Sequence, residues 1–262
     1  MIDQLPALTV GLLCLAGFAA GWIDAVVGGG GVIQLPALLI GLPTTTPVAT
    51  ISGTNKLSSV AGTAMATSTY LRKVPIRWPI TLGVVVTAFA GSTIGAHLVQ
   101  YMPRTAFLPI IVVVVAVIGT YTWRRPALGQ VTDLKYQGPR HWLLAGTLGL
   151  VVGLWDGAVG PGTGVFLVIG FVALLGYGFL EATAMTKLTN LATNVAALIV
   201  LGSAGHILWR LGAVMAAANF VGGAIGAAMA VRHGNRFIRR VFLVALVVLE
   251  AKLVYDTVRL FV

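Results

Sequence analysis

Charge is what this chain has least of. Asp, Glu, Lys and Arg make up 9% of its 262 residues, against the roughly 25% usual in soluble domains. Acidic residues are the scarcest, 7 against 17 basic ones, which leaves a formal net charge of +10. The single cysteine, Cys14, excludes an intramolecular disulfide and any multi-cysteine metal site. The 4 histidines are scattered; with one cysteine they supply neither a nucleophile beside a base nor a cluster of metal ligands, so no enzymatic chemistry, cofactor or metal is expected.

Apolar surface fills the chain instead. Hydrophobic residues account for 58% and the mean hydropathy is +0.95. Apolar runs near residues 5–23, 48–71, 79–100, 105–123, 142–159, 164–180, 184–204, 211–231 and 239–258 mostly approach the roughly 20 residues that a spanning helix needs. The strict alternation of an outer-membrane strand is absent, so helices are expected. The reading is an all-α integral membrane protein with about 8–10 membrane segments. No Lys or Arg precedes the first run, which leads into Asp24 and a glycine cluster, so a cleavable signal peptide is not expected. The basic residues sit in short loops between runs rather than on one polar domain, which points to the positive-inside rule and not to nucleic acid.

One unusual peptide occurs twice. Gly21-Trp-Ile-Asp-Ala-Val-Val-Gly-Gly-Gly-Gly31 recurs as Gly153-Leu-Trp-Asp-Gly-Ala-Val-Gly-Pro-Gly-Thr-Gly164. Asp24 meets Asp156 and Gly28 meets Gly160 at an offset of 132 residues. At an offset of 131, Thr54-Asn55-Lys56-Leu57-Ser58 falls on Met185-Thr186-Lys187-Leu188-Thr189, Trp78 on Trp209 and Gly91 on Gly222. The chain therefore reads as an N-terminal repeat, residues 1–125, a cytoplasmic linker, 126–140, and a C-terminal repeat, 141–262. Charge fixes their relative orientation. The turn at Arg72, Lys73 and Arg77 is strongly basic while its counterpart near Arg210 is not; the turn near Arg104 carries one Arg while its counterpart holds Arg232, Arg236, Arg239 and Arg240. Basic turns face the cytoplasm, so the repeats are expected to be inverted, with both termini on the periplasmic or extracellular face. The segments 7–42 and 142–180 then leave and return on one side, turning at the glycine motifs, either as two short crossing helices or as a helix with a re-entrant loop.

Four consecutive glycines, Gly28, Gly29, Gly30 and Gly31, each lower helix propensity by about 1 kcal/mol relative to Ala, so the helix is expected to break there. Gly160, Gly162, Thr163 and Gly164 repeat the design around Pro161. A restarted half-helix presents N–H groups and partial positive charge, which suits an anion. Neither copy is a phosphate loop, since no Gly-Lys-Ser/Thr follows. The bland alternative is close helix packing through small residues; two equivalent copies, each following an Asp, favour a site.

Lys56 and Lys187 lie about eight residues into apolar segments, roughly 12 Å deep. A cation there costs about 2.5–3.5 kcal/mol on insertion scales, so it needs a partner, a cavity or a ligand. It can snorkel, pair with Asp24 and Asp156, or hold an anion near the midplane. Polar neighbours favour the anion: Thr54, Asn55 and Ser59 beside Lys56, and Thr186, Asn190 and Asn194 beside Lys187. At spacings of three and four, Asn55, Ser58, Ser59 and Gly62 lie along one helix stripe, as do Thr186, Thr189, Asn190, Thr193 and Asn194. Asp24 and Asp156 are candidates for capping the half-helices, pairing with lysine, or carrying a coupling proton. Trp155 stands inside the second motif, where it could wall a pocket, and Glu181 opens a helix without a transport role.

These residues resemble the TauE/SafE family, also called the 4-toluene sulfonate uptake permease family. The likeness rests on Gly-x-x-Asp-x-x-x-Gly-Gly-Gly-Gly at 21–31 with Leu35-Pro36, on Gly53-Thr54-Asn55-Lys56-Leu57-Ser58, and on their degenerate copies at Gly160–Gly164 and Thr186–Asn190. In this chain the second motif departs from all-glycine at Pro161 and Thr163 and lacks a counterpart of Pro36. The resemblance implies secondary transport of small sulfur-containing anions, such as sulfite or organosulfonates, across a bacterial inner membrane, commonly as export. The expected partners are a small anionic substrate and the lipid bilayer, with protons as a candidate coupling ion. The alternatives are an anion channel or an ion-coupled carrier of a different small substrate.

Overall fold

The computed structural model describes residues 5–102 and 131–261. The expected segment at 105–123, the turn at Arg104 and linker residues 126–130 lie outside the described residues. Eight helices follow in order: α1 (Ala7–Val27), α2 (Gly31–Gly41), α3 (Val48–Lys73), α4 (Trp78–Leu98), α5 (Gly138–Ala158), α6 (Thr163–Ile169), α7 (Phe179–Ser203) and α8 (Trp209–Phe261). A 3-10 turn, Val99–Tyr101, prolongs α4, and a π-helical stretch, Gly170–Leu175, prolongs α6. No strand occurs among the described residues.

Among the described residues four helical stretches, Ala7–Val27, Trp78–Tyr101, Phe179–Ser203 and Trp209–Ile238, are long and apolar enough to cross a membrane. The helices begin and end where the backbone requires. α1 stops because Gly28 adopts φ 87, its N–H returning 2.8 Å to the Asp24 carbonyl. In the second half Gly160 and Gly162 take φ 92 and φ 83 between α5 and α6. Proline stands in the first turn of α4 and of α5, where its missing N–H loses nothing. α8 is two helices meeting at Gly234, φ 66, inside the basic stretch Arg232–Arg240 where a turn is expected. α2 has 11 residues, about 16 Å, half the roughly 30 Å of hydrocarbon. Each excursion is thus one long helix followed by one too short to cross by itself.

Close contacts fix the helix directions. Gly17 lies against Met215 and Gly21 against Asn219, so α1 runs parallel to α8. Gly91 lies against Leu150 and Gly95 against Leu154, so α4 runs parallel to α5. Leu57 meets Gly212 and Gly62 meets Gly223, giving the same direction to α3 and α8. Thr50, at the start of α3, meets His206 beyond the end of α7, whereas Arg77, beyond the end of α3, meets Glu181 at the start of α7; α3 and α7 are antiparallel. Two apolar clusters form, one around Tyr70, Val84 and Phe171 and one around Leu13, Ile51 and Leu201. The middle turns of α3 and α7 bury polar residues, among them Ser58, Thr63, Thr189 and Thr193.

A Cβ on Gly91 would stand 2.2 Å from the Leu150 carbonyl oxygen, whereas one on Gly11 meets nothing within 4 Å. Overpacking a close helix contact costs about 1–3 kcal/mol. Gly91→Ala is therefore expected to lower the unfolding midpoint in detergent, and Gly11→Ala to leave it unchanged.

Candidate functional site

The two glycine breaks touch. The Val165 N–H donates to the Gly28 carbonyl at 3.1 Å, and a Cβ on Gly164 would stand 2.3 Å from the Gly28 Cα. The residue types that stop α1 and start α6 are the same ones that let the backbones cross. The first N–H groups of α2 with helical partners belong to Val32 and Ile33, so those of Gly29, Gly30 and Gly31 precede its hydrogen-bond ladder.

Both intramembrane lysines pair with a carboxylate of the other half. Lys56 Nζ lies 2.6 Å from Asp156 Oδ2, and Lys187 Nζ lies 3.2 Å from Asp24 Oδ2 while also donating to the Asp24 carbonyl. Neither lysine snorkels: Lys56 is 3% exposed and Lys187 0%. The carboxylates do not cap the half-helices either. The N-cap positions are Gly30 and Gly162, without side-chain cap bonds, and Asp24 and Asp156 sit in the last turns of α1 and α5. A carboxylate at a helix C-terminus opposes the dipole, which an adjacent ammonium offsets.

Around these pairs lies a small polar cavity in which the centre of a water molecule has ≈ 20 Å³ to move. The first half contributes Asp24, Gly28, Gly31, Asn55, Lys56 and Ser59 to its wall. The second contributes Asp156, Gly160, Gly162, Thr163, Gly164, Asn190 and Asn194. Every lining residue belongs to the set singled out in the sequence. Five others of that set stand off the cavity. Gly29 faces Val165, and Gly30 packs on the Ala20 carbonyl. Thr54 ties α3 to the Leu208 N–H at 3.0 Å. Thr186 is buried, with its hydroxyl unpartnered. Lys187 is engaged by Asp24 and is absent from the wall.

The two lysines are balanced by two carboxylates, so the site holds no net positive charge ready for an anion. The surroundings of the carboxylates differ. Asp24 receives Lys187, the Thr63 hydroxyl at 3.4 Å and the Asn190 amide at 3.5 Å. Asp156 Oδ1 lies 2.6 Å from the Thr163 hydroxyl, which is also 2.7 Å from the Gly160 carbonyl. Asn55, on the wall, has a buried amide oxygen without a partner.

Several contacts escaped the sequence reading. Trp155 does not wall the pocket; it donates to the Pro161 carbonyl at 2.9 Å and meets Phe166 edge-on, holding the second break in shape. Arg77 and Thr132 both meet Glu181, and His141 is buried with Nε2 2.9 Å from the Tyr177 hydroxyl. Asn219 bridges Gly17 and Gln34. No local pattern announces the Glu181, His141 and Asn219 contacts, because each joins segments far apart in the chain.

Known proteins place this architecture. The model of the family "Sulfite exporter TauE/SafE" matches residues 13–253. A Sinorhizobium sp protein named "Probable membrane transporter protein ORF9" is 36% identical over 245 residues, 93% of this chain and 92% of its own length. A "Probable membrane transporter protein" of Haemophilus influenzae is 35% identical over 94% of both chains. The Escherichia coli K12 protein named "Probable membrane transporter protein YfcA" is 32% identical, over 95% of this chain and 91% of its own. No solved structure matches. The family match over most of the chain, with relatives named as membrane transporters that are 32–36% identical, shows that the chain is a multi-pass membrane transporter, not an enzyme, and belongs to the sulfite exporter TauE/SafE family.

Proposed function

We propose that this transporter exports small sulfur-containing anions, such as sulfite or organosulfonates, across a bacterial inner membrane by alternating access between two inverted repeats. The cavity at the crossing of the glycine breaks carries this reading: it is a polar site with Lys56 on its wall. Directions support the inversion. α1, α3 and the first part of α8 run one way and α4, α5 and α7 the other, so the equivalent pairs α1/α5, α3/α7 and α4/α8 are each opposed. α1 lies along the first part of α8 and α5 along α4, so the first helix of each half is held by a helix of the other. Such an exchange lets the halves rock about the fixed crossing. The basic turns place both termini outside.

As it stands the cavity has room for about one water molecule, less than a sulfite needs. Loading such an anion requires the halves to part. Lys56, Asn55 and Thr163, with the N–H groups ahead of α2, then meet the anion.

Ligand that binds only the folded state stabilises it, by about 2.7 kcal/mol at one hundred times Kd. Detergent-purified protein heated with sulfite, sulfate, sulfoacetate, taurine or chloride is expected to gain stability selectively with one of the sulfur anions. Lys56→Ala is expected to lose that gain and Lys56→Arg to keep part of it. Equal behaviour with all five would refute the anion reading.

A further inference from the structure

We propose that the site takes its anion together with a proton, which binds the Asp156 carboxylate and so releases Lys56 to the anion. The proposal rests on the anion reading above, and three observations lead to it. First, the ammonium an anion would use is already occupied: Lys56 lies 2.6 Å from Asp156 Oδ2, with both side chains buried. An incoming anion competes with a carboxylate at that distance, and protonation removes the competitor without moving it.

Second, the hydrogen bonds at Asp156 leave a place for that proton. A hydroxyl carries one hydrogen, yet Thr163 Oγ1 lies 2.6 Å from Asp156 Oδ1 and 2.7 Å from the Gly160 carbonyl. Both distances are those of full O–H···O bonds. Both are satisfied when the carboxylic acid donates to Thr163 and Thr163 donates to Gly160. Third, the equivalent carboxylate lacks this arrangement. Gly31 stands where Thr163 does, and Asp24 is met by three donors, Lys187, Thr63 and Asn190, with no hydroxyl among the described residues placed to accept from it as Thr163 is at Asp156. Lys187 is further fixed by the Asp24 carbonyl. The departure of the second motif from all-glycine thus supplies the proton's acceptor.

The groups facing Asp156 are few. α3 presents Lys56 and the neutral Ser59 and Asn55, the end of α1 presents Asp24, and α7 presents Asn190 and Asn194. α4 presents Ser92, whose hydroxyl is used by the Thr193 carbonyl. The proton comes from water on the side where the anion enters, and both leave together, so the pair crosses with one negative charge less than the anion alone.

Binding of sulfate and sulfoacetate, whose charges hold across the neutral range, tests this. If one proton enters with each anion, wild-type affinity falls about tenfold for each pH unit of increase. Asp156→Asn mimics the protonated side chain and is expected to bind as tightly as the wild type does at the acid end, with less than about a twofold change over the same range. A pH slope preserved in Asp156→Asn, or binding lost in it while the wild type binds, would overturn the proposal and leave the anion reading intact. Should Asp156→Asn fail to fold, Thr163→Val keeps both charges and is expected to displace the pH dependence toward acid; an unchanged profile counts against the proposal. If neither anion binds any protein, the anion reading fails, and infrared titration of the empty protein still decides the proton site. A carboxylic acid C=O component is expected in the titration difference spectra of the wild type and of Asp24→Asn and is expected to be missing from those of Asp156→Asn, the carboxyls other than Asp24 and Asp156 contributing equally to all three. Its survival in Asp156→Asn, or its absence from the wild type, overturns the proposal.

Discussion

Gly28→Ala is expected to yield little or no folded protein. A Cβ there would lie 2.5 Å from both the Cα and the carbonyl carbon of Gly164, and the residue sits at φ 87. Overpacking contributes about 1–3 kcal/mol and a left-handed non-glycine backbone about 1–2 kcal/mol more. The sum is a large share of the roughly 5–15 kcal/mol that holds a typical protein folded. Backbone cannot swing aside as a side-chain tip can, so relaxation recovers little. Gly29→Ala, in the same run of four, is the control. Its nearest neighbours are the Cγ2 atoms of Val165 and Ile23 at 3.6 and 3.7 Å, ordinary contact, and it is expected to purify and unfold as the wild type does. Monodisperse yield and the unfolding midpoint of the two variants measure the difference. Equal stability would mean that the two breaks do not cross in backbone contact.

The second large effect concerns Lys56. Lys56→Met leaves the Asp156 carboxylate, 2% exposed, without its ammonium. Removing one partner of a buried pair costs about 3–5 kcal/mol, chiefly the penalty of the charge left behind. Lys56→Met/Asp156→Asn removes that charge and is expected to regain most of the loss, so the cycle of single and double variants should be far from additive. Lys187→Met is expected to cost less, because the Asp24 side chain is 16% exposed and keeps Thr63 and Asn190 as donors. Additive losses at Lys56 and Asp156 would show that the pair does not act as a unit.

Much of the site was legible because its residues stand out locally. Four glycines in an apolar run, or a lysine eight residues inside one, carry their own cost, and that cost asks for an explanation before any contact is known. The polar stripes on α3 and α7 follow from helical spacing alone. Which lysine meets which aspartate was not legible. The partners are 100 and 163 residues apart, and pairing them across the halves requires the directions of α3 and α7 together with the crossing of the breaks. The role of Asp24 was blurred for another reason. Asp is favoured at an N-cap in general, but Gly28 ends α1 so abruptly that Asp24 remains in the preceding turn. The length of α2 escaped because hydropathy reads the same in a half-helix as in a span. The polar contacts around Glu181 escaped because each of their members is an ordinary loop or helix-end residue when read alone.

The two ends of the α3/α7 pair are latched by different chemistry. At one end an ion pair, Arg77 with Glu181 at 3.5 Å, has its arginine half in solvent. At the other, His206 meets the Thr50 hydroxyl and the Leu208 N–H meets Thr54, with no formal charge opposed to another. Dissolved salt screens an exposed ion pair and leaves neutral hydrogen bonds nearly untouched. Ionic strength therefore loosens one door and not the other. On the alternating-access proposal it redistributes the time spent facing each compartment, and apparent affinity scales with the fraction of molecules facing the ligand. Half-saturation measured from the two faces of the membrane should then drift in opposite directions as the bath is made saltier, although the site itself has not changed.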